Sequence, residues 1–345
     1  MRNAKLLLAV SAISAALGLA PYTSPASAET ITVAGWGGTL QDAERKAFFE
    51  PAAKALGIEI KEDSLDGIAP FRAQVMSGSP AWDIVELDSS TCALAQIEGL
   101  TEPLDYNVID ASGVNDAMKG RDWVGIFAFS VVLAWTEDGS ARPKTWAEFF
   151  DGEKFKLPRS LYNSPMYALE AALMADGVDP KKLYPLDVDR GFSVLERVKP
   201  QVAAWWKTGA HSVQLVRNGE VDALGIFNGR ISELRKAGVK MNYTYENGIL
   251  DFDCLMVAKG SKHKEAAMKV LNEFLKAKNQ ATFSTLIDYG PVNAKAFDTG
   301  IISAERASEL ASAPKNAEKM VVMNPTFWAE NLPKIQSRFD MLIQE

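Results

Sequence analysis

Histidine and cysteine are scarce in this chain of 345 residues, which contains only two of each. The histidines, His211 and His263, are far apart in sequence and no C-x-x-C motif occurs, so a zinc site built from these ligands is not expected. Cys92 and Cys254 leave two alternatives open, because in an exported protein they could form a disulfide or stay as two buried free thiols. The sequence predicts neither a metal nor a cofactor.

Catalytic signatures and long apolar segments are also missing. The chain contains no H-E-x-x-H, no G-x-S-x-G and no G-x-x-x-x-G-K-[ST], the motifs of zinc proteases, serine hydrolases and P-loop proteins. No stretch reaches the roughly 18 to 20 apolar residues that a membrane span requires. We therefore expect a protein that is not an enzyme, with a secreted hydrolase built on a carboxylate pair as the less favoured alternative.

The first 28 residues have the pattern of a cleaved secretory signal peptide. Arg2 and Lys5 form the basic start, Leu6–Ala20 is the apolar segment, and A-S-A at positions 26–28 is the cleavage site. Removal of this segment takes the net charge from −7 to −9, which argues against a nucleic-acid partner and suits a cationic ligand. We expect a monomer located in the periplasm.

Strands that alternate with helices organise the rest of the chain. Strand Ile31–Ala34 precedes helix Leu40–Leu56, and strand Trp82–Leu87 precedes helix Thr91–Glu98. This order predicts an α/β fold with a parallel sheet, in which ligands bind beyond the carboxyl ends of the strands. Similar alternation follows in the second half, where Met241–Tyr245 is one of the expected strands, so we expect two α/β lobes.

Two apolar β-rich stretches, Ile126–Trp135 and Asp251–Ala258, are predicted to cross between the lobes as hinge strands beside an interlobe cleft. Lobe 1 would then contain residues 29–126 and 254–295. Lobe 2 would contain residues 127–253 and 296–345. A hinge of this kind suits lobes that close on a small solute.

Polar and aromatic residues at the predicted strand ends are the candidate ligand contacts. Trp36 lies in a glycine turn with Gly37, and Thr39 follows at a helix start that resembles a capping box. The loop after the third strand carries Asp88, Ser89 and Ser90. Two further candidates at the start of another helix are Thr208 and His211.

An ordered set of motifs, among them VAGWGGTLQDA, WDIVELDSS, GEVDALGIFNGR, LDFDCLMVAKG and LIDYGPVNAKAF, resembles the periplasmic substrate-binding proteins of ABC importers. The resemblance is closest to the spermidine/putrescine-binding branch and covers essentially all of the chain after the signal peptide. It implies a two-lobed periplasmic-binding fold of type II that captures a small cationic amine and docks on an inner-membrane permease. Another small amine or amino-acid-derived solute is the alternative ligand.

The resemblance also implies which residues line the cleft. Trp36 corresponds to a stacking tryptophan of the family, and Asp253 to a carboxylate that pairs with an ammonium group. Phe227 and Asn228 correspond to a Trp-Asn-Gly motif, with Phe in place of Trp, and Tyr289 corresponds to a cleft tyrosine.

Two positions depart from the family pattern. Asp251 stands where a stacking tryptophan is expected, and its side chain shares a strand face with Asp253, so that a cation between the two carboxylates would relieve their repulsion. The second family acid is absent near the start of the helix that we expect from Pro165, where Ser164 is the candidate contact, and this absence puts a linear diamine ligand in doubt.

Cleavage of the predicted signal peptide has a direct test. We expect intact-mass measurement of protein released from the envelope to give a chain that begins at Glu29. Ala28→Arg should block this cleavage, because the processing site requires a small residue there. A mature chain that still contains residues 1–28 would contradict the prediction.

Overall fold

The computed structural model describes residues 29–344. The predicted signal peptide, residues 1–28, lies outside the described residues. Among residues 29–344, none of the helices combines the length and the apolar character that a membrane crossing needs.

Eleven strands in the described part of the chain form one mixed sheet. The strands are β1 (Thr30–Gly35), β2 (Glu59–Ser64), β3 (Ile84–Asp88), β4 (Thr101–Glu102), β5 (Trp123–Thr136), β6 (Arg159–Tyr162), β7 (Val202–Trp206), β8 (Ala223–Phe227), β9 (Met241–Ala258), β10 (Gly290–Pro291) and β11 (Val321–Val322). The order along the sheet is β2-β1-β3-β9-β5-β8-β6-β7, while β4 and β11 pair with β9 and β10 pairs with β5.

Helices cover both faces of this sheet. They are α1 (Gly38–Glu44), α2 (Glu50–Leu56), α3 (Ile68–Met76), α4 (Ser89–Ile97), α5 (Trp146–Phe149), α6 (Ala168–Ala175), α7 (Val188–Val198), α8 (Gly209–Arg217), α9 (Asn228–Lys236), α10 (Lys264–Phe274), α11 (Ala277–Leu286), α12 (Ala304–Glu309), α13 (Pro314–Ala317) and α14 (Pro325–Gln344). A π-helical turn, Arg45–Phe49, joins α1 to α2. Short 3₁₀ helices occupy Asp116–Met118, Pro180–Lys182, Lys199–Gln201 and Ala294–Thr299.

The direction of the strands divides the sheet into two halves. At one end β1 runs parallel to β2 and β3, and at the other end β6 runs parallel to β7 and β8, as the βα order predicts. In the centre β9 is antiparallel to β3 and β5, and β5 is antiparallel to β8. The two central strands therefore connect the halves.

The predicted crossings correspond to β5 and β9, which pair with each other from Trp123↔Met256 to Thr136↔Met241. We expected Met241–Tyr245 and Asp251–Ala258 to be separate strands, but β9 runs through both. The extra residues between them are accommodated by a register shift opposite Val131–Leu133, so the strand is not interrupted. The lobe boundaries at residues 126/127 and 253/254 fall inside these strands, and we keep them as a proposal.

Two large hydrophobic cores support the two halves. Phe48 and Phe71 belong to the core beneath β1–β3. Leu169, Phe192 and Trp328 belong to the core formed by α6, α7 and α14. The indole nitrogen of Trp328 donates to the buried carboxyl group of Glu170 at 2.7 Å, which attaches α14 to the second half.

Two helix starts differ from the expected ones. Thr39 does not cap α1, because the helix already begins at Gly38, after Gly37 with φ of 73°. The helix expected from Pro165 begins instead at Ala168, because Tyr167 adopts a left-handed φ of 66°. A non-glycine residue in that region is strained by about 1–3 kcal/mol, which is typical of residues held at functional sites.

A disulfide joins Cys92 in α4 to Cys254 in β9, which settles the two alternatives left open by the sequence. The bridge spans 162 residues, so in the chain-entropy description it restricts a long loop of the unfolded chain.

Removal of this disulfide should lower stability. Cys92→Ser with Cys254→Ser is expected to reduce the free energy of unfolding by about 2–5 kcal/mol, measured by urea denaturation. Dithiothreitol should lower the midpoint of the original protein and leave that of the double variant unchanged. Equal midpoints for the two oxidised proteins would contradict the prediction.

Candidate functional site

A cavity of about 680 Å³ opens between the two halves of the sheet, at the ends of several strands. The turn after β1, the loop after β3, the start of α6, the start of α8 and the helix α14 all contribute to its walls. The lining residues are Trp36, Leu40, Asp88, Ser90, Thr91, Phe127, Phe129, Tyr162, Ser164, Met166, Tyr167, Thr208, Gly209, Phe227, Arg230, Asp253, Tyr289 and Leu332.

Aromatic rings form most of the apolar wall. Phe227 is their centre, with ring centroids 5.5 Å from Phe129 and 6.0 Å from both Tyr162 and Tyr167. Tyr289 stacks on Phe127 at 5.0 Å. Such a wall offers apolar area to an alkyl chain and π faces to a cation.

Trp36 and Asp253 are joined by a short hydrogen bond. The Trp36 indole Nε1 donates to Asp253 Oδ2 at 2.6 Å, while the ring of Trp36 stays 36% exposed. The bond fixes the indole beside the Asp253 carboxyl group in the cavity wall. Burial raises the pKa of the Asp253 carboxyl group well above its ordinary value, the charges of Glu86 and Asp88 raise it further, and the Trp36 bond lowers it.

Asp88 and Asp253 are directly opposite each other in the antiparallel pair of β3 and β9. The Asp88 carboxylate accepts from the Thr91 backbone N–H at 3.0 Å, and from the hydroxyls of Ser90 and Thr91 at 2.6 Å each. Like charges directly opposed across two strands destabilise the sheet. A ligand cation between these two carboxylates would reverse that repulsion.

Two further carboxyl groups lie buried behind Asp253. Glu44 and Glu86 are each 1% exposed, and each carboxyl group influences the pKa of the other. Burial raises the pKa of Glu44 to about 8 and raises that of Glu86 well above its ordinary value. Gly35 leaves room for this pair, because a Cβ there would lie 2.9 Å from Glu86 Oε2.

Asp251 does not line the cavity, contrary to our expectation. Its carboxylate accepts from Ser89 Oγ at 2.6 Å, Tyr167 OH at 2.9 Å and the Phe252 backbone N–H at 2.8 Å. These donors enclose it completely, and burial raises its pKa to about 6. Asp251 therefore positions α4 and Tyr167, and the expected pairing of Asp251 with Asp253 is replaced by that of Asp88 with Asp253.

Five more candidate residues lie outside the lining. Ser89 is buried on Asp251, and Asn228 Oδ1 accepts from the Ser130 backbone N–H at 2.9 Å. The backbone N–H of His211 donates to Thr208 Oγ1, and its ring accepts from the Lys207 backbone N–H at 3.3 Å. Gly37 and Thr39 line a neighbouring pocket of about 530 Å³ instead.

Sequence reasoning missed one charged residue of the lining, Arg230. It follows Asn228 near the start of α9, and its Nη1 donates to Glu233 Oε2 at 2.9 Å. Among the described residues that line the cavity, Arg230 is the only cation, and Asp88 and Asp253 are the two acids. Its position directly after the Phe-Asn-Gly motif is a sequence signal that could have identified it.

The sequence gives a weaker signal for four aromatic residues of the lining that were also missed, Phe127, Phe129, Tyr162 and Tyr167. Phe127 and Phe129 are two apart on β5 and so share one face of the strand. Tyr162 and Tyr167 flank Ser164, a candidate residue that does line the cavity. The face shared by the two phenylalanines could not be recognised because β5 is apolar along almost its whole length. The two tyrosines were missed because α6 was expected to begin before Ala168.

Comparison with known proteins identifies the family. Residues 47–314 match the family described as bacterial extracellular solute-binding protein. The gamma-aminobutyric acid (GABA)-binding protein of Pseudomonas aeruginosa is 30% identical over 323 residues, 91% of each chain. The crystal structure of an ABC transporter substrate-binding protein from Bradyrhizobium japonicum USDA 110 is 41% identical, with a TM-score of 0.86, over 92% of this chain and 100% of that chain.

Two further relatives bear on the ligand. A structure described as that of a GABA receptor is 34% identical with a TM-score of 0.83, over 91% of this chain and 98% of that chain. The spermidine/putrescine-binding periplasmic protein of Salmonella typhimurium is 25% identical over 246 residues, 68% of this chain and 69% of that protein.

The chain belongs to the family of bacterial extracellular solute-binding proteins and is the solute-binding component of an ABC transporter. The expected α/β fold with two lobes is confirmed, and the relatives are binding proteins rather than enzymes. The polyamine branch is a weaker match than the GABA-binding relative.

The buried acids generate a pH prediction. In the folded state Glu44 and Glu86 keep their protons to a higher pH than in the unfolded chain, where a glutamate has its ordinary pKa of 4.5. The stability that this proton retention contributes is therefore fully present below pH 4.5 and is lost as the pH rises through about 8, the pKa of Glu44. Glu44→Gln should flatten this decline by up to about 1.4 kcal/mol per pH unit.

The measurement is urea unfolding at several pH values in that window. Glu50→Gln, at an exposed position of α2, is the control and should keep the original slope. Identical slopes for Glu44→Gln and the original protein would show that the pair carries no extra proton.

Proposed function

We propose that the cleft binds a short zwitterionic amino-acid derivative, of which GABA is the simplest candidate, and that the closed protein delivers it to an inner-membrane permease. The observation that carries this proposal is the presence of Arg230 in the same cavity as Asp88 and Asp253. A zwitterion has one group for each of these charges.

The anionic end of the ligand is assigned to Arg230. A guanidinium group binds a carboxylate through two parallel N–H donors, which fixes orientation as well as charge. Thr208 and Gly209 lie in the same part of the lining, at the start of α8. A linear diamine would place an ammonium group against Arg230, and the two like charges would repel.

The cationic end is assigned to Asp88 and Asp253. An ammonium group between them relieves the repulsion across β3 and β9 and favours the charged form of Asp253. The exposed ring of Trp36 covers the same position and adds a cation–π attraction of about 0.5–2 kcal/mol. The methylene groups of the ligand then pack on the wall around Phe227.

The relatives support this ligand class, because a GABA-binding protein and a GABA receptor are both similar to this chain over nine-tenths of its length. A polyamine is the second candidate, favoured by the two opposed acids and by the polyamine-binding relative. We further propose that the protein works in the periplasm as a monomer, with the segment of residues 1–28 as its export signal.

Calorimetric titration tests the ligand. We expect the original protein to bind GABA more tightly than putrescine, and Arg230→Gln to weaken GABA about 10- to 100-fold by removing a charge-assisted hydrogen bond. Putrescine should bind Arg230→Gln at least as well as the original protein, because the repelling charge is gone.

Arg197→Gln, which removes an exposed arginine of α7, is the matched control and should leave both affinities unchanged. Tight binding of putrescine without binding of GABA would replace the proposal by the polyamine candidate. Absence of heat and of thermal shift with either compound would reject both ligands while leaving the membership of the family intact.

A further inference from the structure

The guanidinium group of Arg230 lies against the backbone of Gly209. A Cβ built on Gly209 would be 2.2 Å from Arg230 Nε, 2.8 Å from Cζ and 3.0 Å from Nη2. No side chain other than hydrogen fits at position 209 while the guanidinium group stays where it is. The two residues come from different helices, α8 and α9, and both line the cavity.

The backbone does not require glycine at this position. The φ angle of Gly209 lies outside the left-handed region, and the residue is the first of α8, where any small residue is tolerated. The cap of the helix is supplied by Thr208, whose hydroxyl accepts from the His211 backbone N–H. The reason for glycine is therefore the neighbouring guanidinium group and not the conformation of the helix.

The remaining contacts of Arg230 fix only one side of the group. Its Nη1 donates to Glu233 Oε2 at 2.9 Å, one turn further along α9, and the side chain is 39% exposed. An exposed arginine whose single polar partner within residues 29–344 lies on its own helix has many rotamers available. Contact with Gly209 limits these rotamers and keeps the group in the cavity wall.

We propose that Gly209 is a positioning residue for ligand recognition, because it provides the surface on which the Arg230 guanidinium group is held ready for the carboxylate of the solute. This inference rests on the proposed binding of a carboxylate at Arg230. It adds that the affinity depends on a residue that presents no side chain to the ligand. Pre-organisation of this kind lowers the entropy cost of binding.

Gly209→Ala separates this role from a structural one. The added methyl group displaces the end of a flexible side chain rather than backbone, so the fold is retained. Alanine also favours helix over glycine, so the melting temperature is expected to stay the same or rise. A loss of affinity without a loss of stability is then specific for positioning.

The first measurement needs no ligand. In NMR spectra of isotope-labelled protein, the side-chain Nε–H signal of Arg230, assigned by its disappearance in Arg230→Gln, should shift in Gly209→Ala. It should stay in place in Ala210→Ser, which alters the next, exposed residue of α8. An unchanged Arg230 signal in Gly209→Ala would overturn the proposal, whatever the solute is.

The second measurement is a double-mutant cycle with GABA as the probe. Gly209→Ala should weaken binding about tenfold in the original protein and have little effect in the Arg230→Gln background, since the group that it positions is then absent. Equal losses in both backgrounds, or no loss with a shifted Arg230 signal, would overturn the role in recognition. If the original protein does not bind GABA, the proposed ligand fails, whereas the NMR result still decides where Arg230 is held.

Discussion

The hydrogen bond from the Trp36 indole to Asp253 is the contact on which the geometry of the cleft depends. It joins the first turn of the chain to a strand that is 217 residues away in sequence and that runs between the two halves of the sheet. It gives a buried carboxylate one firm donor and leaves the π face of the ring free. Burial of Asp253 and the neighbouring acids Glu86 and Asp88 raise the pKa of its carboxyl group and make negative charge at this wall costly, which increases the benefit of a cationic partner.

The fold could be predicted from the sequence to a large extent, because its signals are local. The alternation of strands and helices, the glycine turn at Trp36 and the position of Phe227 at the end of β8 all appear within a few residues. The role of Asp251 could not be predicted in this way. Its strand face is the one expected, but its donors Ser89 and Tyr167 come from distant segments, and only the packed structure brings them together.

Arg230 shows why a count of charges is less informative than their location. The chain is acidic overall, and its acids at strand ends favoured a purely cationic ligand. One arginine in the lining adds a positive charge beside the two acids, and this arrangement is the basis for proposing a zwitterion instead of a diamine. The position of this arginine directly after the Phe-Asn-Gly motif is its local signal, and its importance comes from the strand that precedes it and from the glycine of α8 beside it.

The pairing of β3 with β9 has a consequence for how the molecule assembles. As the chain emerges from the ribosome or a translocation pore, β1, β2 and β3 become available early, whereas β9 and Cys254 follow more than 150 residues later. Until then β3 presents an unpaired edge, which is a site for aggregation. The first half of the sheet can therefore be completed and covalently locked only after β9 has emerged, and a chain truncated before β9 would lack both its central strand and one wall of the cleft.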